Sequence, residues 1–184
     1  MFGYGTAVGY HAALAGAPID ARDAMQTNSF TADTTSPRLE WYKLDMDERV
    51  LLMGFSEAVN VSTLLVEYIT LQSSTTLGQD GPEVTLARAR GTHAISKNSK
   101  RVRIALGDGD FNALKLAEGL ADDISSVYVL LETLADGTSY AIGDMVAAPN
   151  TNRVVGIEDG AAQQAVNFTS DKSPPSLNHF ELDL

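Results

Sequence analysis

Arg101-Val102-Arg103-Ile104-Ala105-Leu106, then Gly107-Asp108-Gly109-Asp110, then residues 111–120: the reading of this run decides the fold. Val102, Ile104 and Leu106 alternate with Arg103 and Ala105, the period-two pattern of a strand with one wet face. The Gly-Asp-Gly-Asp turn predicts a hand-over to a helix with Asp108 or Asp110 as N-cap. Phe111, Leu114 and Ala117, flanked by Leu116 and Leu120, give that helix its apolar face, and Gly119 suits its end.

Working outward, Val127 to Leu131 is a continuous apolar, β-forming run, so 126–133 reads as a strand. Asp136-Gly137 is the dipeptide favoured in two-residue hairpins, where both central positions need positive φ, and 138–142 returns. Short strands are expected at 145–148, 153–157 and 164–169, with Val166 and Phe168 on one face and Asn167 and Thr169 on the other. Upstream, Tyr42, Leu44 and Met46 alternate with Lys43, Asp45 and Asp47, and 49–55 reads as the returning strand. The β-branched content of 58–72 predicts another strand, and a short one is expected at 84–89.

Many short strands and one helix predict a mainly β fold. The expected architecture is an antiparallel β-sandwich or partly closed barrel with one packed α-helix. A β domain over 40–172 would carry a long loop at 73–100 and the helix at about 110–120. Residues 1–39, rich in glycine and Thr/Ser with Pro18 and Pro37, read as an extended N-terminal arm, either frayed or laid across a neighbour. Residues 173–184 read as a C-terminal tail. At 184 residues and 44% apolar, the chain is long enough for a core. Its longest apolar runs fall far short of the roughly 20 residues of a membrane-spanning helix, so no membrane role is expected. Nor does the first basic residue, Arg22, fit the start of a secretory signal.

The residue pattern offers little to catalysis. There is no cysteine, and the three histidines, His11, His93 and His179, are widely separated. No nucleophile–base pair or metal-ligand spacing stands out, so no catalytic residue, metal or cofactor is expected. Gly107 to Asp110 fails as a calcium loop, because the twelfth position from Asp108 is Gly119 rather than a glutamate. Alternation puts Asp45 and Asp47 on the wet face of their strand, where solvated acids are ordinary.

Charge is more informative. Twenty-four acids against thirteen bases leave a formal charge of -11, yet 84–106 holds Arg88, Arg90, Lys97, Lys100, Arg101 and Arg103 and no acid. The same stretch has no aromatic residue, which argues against a nucleic-acid groove. Two readings stand side by side: a solvated loop, or an inter-subunit contact in which these six cations meet carboxylates of an identical neighbour. Arg88 and Arg90 fall in the least core-like part of the stretch.

In order, strand 101–106, helix 110–120, strand 127–131, the segment Leu134-Ala135-Asp136-Gly137-Thr138-Ser139-Tyr140-Ala141 and Val166-Asn167-Phe168-Thr169-Ser170-Asp171 resemble the tail tube (major tail) proteins of long-tailed bacterial and archaeal viruses. The resemblance covers 101–171, and its glycine-rich N-terminus departs from the simplest members. It implies a virion tail protein assembled in the host cytoplasm. Hexameric rings of this chain would stack into a tube, contact other tail proteins and let DNA pass without specific binding. It also implies that 73–100 is an inter-ring loop and that the arm reaches another subunit. Two other classes fit a strand-rich chain: a capsid decoration or other virion protein, commonly trimeric, and a ligand- or carbohydrate-binding β module. The last should cluster exposed aromatics, whereas Trp41, Tyr42 and Tyr68 are expected in core strands.

Overall fold

A computed structural model describes residues 28–76, 81–133, 139–146, 151–174 and Glu181. The chain divides into two units, Met1–Ala32 and Asp33–Leu184, and the β fold belongs to the second. Most of the expected arm, the Asp136-Gly137 turn and most of the C-terminal tail lie outside the described residues.

The strands are β1 (Leu39–Asp45), β2 (Val50–Asn60), β3 (Ile69–Gln72), β4 (Glu83–Thr85), β5 (His93–Ala94) and β6 (Ser99–Ala105). The helix α1 (Asp108–Leu116) precedes β7 (Tyr128–Leu131), β8 (Gly143–Asp144), β9 (Gln163–Gln164) and β10 (Asn167–Thr169). Among the described residues they form two sheets. One is ordered β10-β1-β2-β6-β5 with β8 on the end of β2; the other is β4-β3-β7-β9. The fold is therefore mainly β and sandwich-like, with one packed helix.

The sheets share one core. Alternation turns Tyr42 and Leu44 of β1, Leu51 and Met53 of β2, and Val102 and Ile104 of β6 inward. They meet Ile69, Leu71, Val129 and Leu131 of the other sheet. The Tyr42 hydroxyl crosses the layer and donates to the Val127 carbonyl at 2.7 Å. Burial raises the Tyr42 pKa well above the ordinary phenol value, so it remains a donor.

One side of the sandwich is closed by a strand that changes sheets: Ala165 N–H donates to Val127 O, and Val166 N–H to Tyr42 O. This crossover makes β10 run parallel to β1, with Leu44 opposite Phe168. Among the described strand pairs this is the parallel one in an otherwise antiparallel fold. Its cause is the return of the chain through the second sheet, which brings 167–169 in along the direction of β1.

Other elements also differ from expectation. The segment 58–72 is no single strand: β2 ends at Asn60, 3-10 turns follow at Val61–Thr63 and Val66–Tyr68, and only then does β3 begin. Asn60 breaks the run, its side chain accepting from Ser62 N–H to cap the first turn. Strand β4 stops at Thr85, and Arg88–Arg90 form a 3-10 turn. The helix is capped by the backbone of Gly107 and not by an aspartate, and it ends at Leu116. Phe111 and Leu114 are buried as expected, but Leu116 is 81% exposed. Within 145–148 and 153–157, the described pairing is limited to bridges of Arg153 to Gly143 and Ile157 to Leu131.

Candidate functional site

The six cations of 84–106 separate into two groups. Strand β4, the Arg88–Arg90 turn and α1 are held together around Asp110, whose side chain is fully buried. Its carboxylate accepts from Ala87 N–H at 2.9 Å, from the Arg90 guanidinium at 3.1 Å and from the Thr92 hydroxyl. The Thr92 hydroxyl oxygen in turn accepts from Gly107 N–H. Gly107 permits the approach, because a Cβ there would lie 2.0 Å from the Arg90 carbonyl oxygen. The Arg88 guanidinium donates to Leu64 O at 2.7 Å, and the Arg88 N–H donates to Glu67. Arg88 and Arg90, both exposed, thus bond to groups of their own chain. Local spacing marks Asp110 only as a candidate N-cap after Gly107-Asp108-Gly109; the groups that turn it inward come from the preceding segment.

Lys100, Arg101 and Arg103 lie on β6, and Lys97 is exposed in the turn before it. The side chains of Arg101 and Arg103 are on the outer face of the larger sheet, opposite Val102 and Ile104. Register places Arg101 across Gly54 from Trp41, and Arg103 across Leu52 from Lys43. Trp41, expected in the core, instead covers Gly54 on the outer face; a Cβ at Gly54 would come within 2.2 Å of the indole. Lys43 Nζ lies 5.9 Å and the Arg101 guanidinium 5.8 Å from the Trp41 ring centre, within reach of cation–π attraction. The aromatic residue missing from 84–106 is supplied by β1, sixty positions away. Between Lys43 and Arg103 is a shallow depression of about 100 Å³, walled by Asp45, Glu48 and Asn167. Of these cations only Arg103 reaches a carboxylate among the described residues, Glu48 at 3.5 Å. Lys100 Nζ donates to Ser56 O at 2.8 Å.

Asp33, Glu57 and Asp144 bring one carboxylate oxygen each within 4.8 Å of one another. Three hard oxygens at this spacing are a donor set a cation could use. Asp144 is buried and already engaged, accepting from Val146 N–H, Asn152 N–H and the Asn152 side chain. Glu57 Oε1 is shut off from solvent with no hydrogen-bond partner. Burial raises the Glu57 pKa, the Asp33 and Asp144 charges raise it further, and Lys100 opposes them. A proton on Glu57 would supply the donor its environment lacks. Positions 33, 57 and 144 follow no local spacing, so only the fold assembles them. His93 is exposed with Nδ1 2.8 Å from Gly91 O, while His11 and His179 lie outside the described residues.

Compared with protein-family models, with curated proteins and with solved structures, the chain matches none.

Proposed function

We propose that this chain is a non-enzymatic structural subunit that packs against copies of itself, as a ring-forming tail tube protein of a long-tailed virus does. The observation that carries the reading is the cation-rich outer face of the larger sheet on a chain of net charge -11. Lys43, Arg101 and Arg103 lie there, Lys43 and Arg101 beside Trp41, with Asp45 and Glu48 only at the margin of the Lys43–Arg103 depression, whereas Glu118, Asp122 and Asp123 are exposed together between α1 and β7. Such a division of charge on one molecule favours contact between unlike faces of two copies. The resemblance to tail tube proteins adds the ring. Its strand–helix–strand order has counterparts in β6, α1, β7 and β10.

Negative-stain microscopy of the purified chain at about 0.15 M salt, where exposed charges still act over about 8 Å, tests the proposal. Rings or stacked tubes are expected. Trimers would favour the capsid-decoration reading, and monomers at every concentration would overturn self-assembly.

A further inference from the structure

Resting on the proposed self-assembly, we infer that the cationic sheet face of one copy docks the acidic turn between α1 and β7 of the next, head to tail. The partner surface is defined by the chain's own charges. Glu118, Asp122 and Asp123 are all exposed, and none forms an ion pair among the described residues.

The turn is held in shape before any partner arrives. Asp122 and Asp123 N–H both donate to the Ser126 hydroxyl, and Ser125 N–H donates to the Asp123 carboxylate at 2.7 Å. Gln164 of β9 anchors the turn through the Ile124 carbonyl at 2.9 Å. The Ser125 hydrogen bonds hold the Asp123 pKa below the usual carboxylate range, so it is charged at neutral pH. A preorganised turn loses little conformational entropy on docking.

Each surface also carries an apolar anchor beside its charges. Ile124, 43% exposed, follows Asp123; Ile95, 51% exposed, lies beside β6, its N–H bonded to Arg103 O. An interface usually takes its energy from such buried anchors and its orientation from the surrounding charges.

The arrangement also dictates symmetry. A two-fold contact centred on the cationic face would place Lys43 and Arg101 against their own copies, like charge on like charge. Pairing two different surfaces removes the conflict, and a heterologous contact either closes into a ring or propagates as a filament.

Sedimentation velocity on three proteins tests the docking. Neither the Lys43 nor the Arg101 side chain has an ion pair among the described residues, so Lys43→Glu with Arg101→Glu should stay folded, with a cooperative melt only modestly below wild type from the lost contacts with Trp41 and the added negative charge. Glu118→Lys with Asp122→Lys reverses the other surface and spares the Asp123 cap. Each double variant alone should associate about 100-fold more weakly than wild type. An equimolar mixture should assemble, because intact faces meet and the reversed faces are again opposite in charge. Wild-type-like assembly by either folded variant, or no recovery on mixing, would overturn this pairing and leave self-assembly standing. A wild type that is monomeric up to roughly millimolar concentration at low and moderate salt would overturn both, since weak specific contacts are populated there.

Discussion

At the scale of the residue, Glu57 is the most conflicted group among the described residues. Its Oε1 has no partner, and Asp33 and Asp144 converge on it. Burial first, and the two neighbouring charges next, raise its pKa above the ordinary 4.5. The folded state therefore holds the Glu57 proton more tightly than the unfolded chain does. By linkage, the stability contributed by that proton is fully present below about pH 4 and is lost as pH rises through the unfolded and then the folded pKa. Glu57→Gln keeps the shape and removes the charge. The variant should melt higher than wild type at pH 7, and the difference should shrink as pH falls toward 4. Thermal melts at half-unit intervals from pH 4 to 7 check this. A wild-type advantage at pH 7 would mean that the Glu57 charge is stabilising, as it would be if a cation were held there.

At the scale of the element, α1 depends on one side chain. A nine-residue helix is too short to be stable by propensity, and its exposed Leu116 adds no burial. What fixes it is Asp110, which ties its first turn to Ala87, Arg90 and Thr92. Removing a fully buried carboxylate strands three donors, one of them a cation, although half-exposed Arg90 can turn to water. Asp110→Ala should therefore cost about 2–4 kcal/mol, read as a lower urea midpoint with an unchanged slope. A loss under about 0.5 kcal/mol, as at an ordinary surface site, would show that packing of Phe111 and Leu114 suffices.

The same element marks where sequence reading succeeds and where it stops. Strands β1, β6 and β7 were legible because alternation or an unbroken apolar run fixes their faces locally. The helix was legible from Phe111 and Leu114 for the same reason. Its N-cap was not: Asp110 looked like a cap, and only Arg90, Thr92 and Ala87, folded back from the preceding segment, turn it inward. In 58–72, β-branched content outweighed Asn60, whose cap ends β2. The cationic face was half legible, since Arg101 and Arg103 alternate with buried residues. The placement of Trp41 and Lys43 beside them depends on strand register, and so does the grouping of Asp33, Glu57 and Asp144. Neither leaves a trace in local spacing.

For the whole molecule, net charge and local ion pairs respond oppositely to salt. The formal charge of -11 opposes compaction through self-repulsion. Against this stand four ion pairs among the described residues: Arg49–Asp108, Arg90–Asp110, Arg103–Glu48 and Lys115–Asp171. The Arg49–Asp108 and Arg103–Glu48 pairs have both partners largely exposed, where a pair contributes about 0–1 kcal/mol and is itself screened. The Arg90–Asp110 pair is sheltered and loses little. Raising salt from about 10 mM to 0.5 M shortens the Debye length from about 30 Å to under 5 Å. That removes long-range repulsion among the acids while costing only weak exposed pairs. The isolated chain should therefore melt several degrees higher at 0.5 M than at 10 mM sodium chloride. A contact made by Lys43 and Arg101 with an acidic turn should weaken over the same range, because its charges lie at a surface. Scanning calorimetry at a concentration where sedimentation reports monomer gives the first slope, and sedimentation at higher concentration gives the second. Opposite signs are the expected result. A monomer melting point that falls with salt would mean that the exposed ion pairs outweigh the net charge, reversing the balance argued from -11.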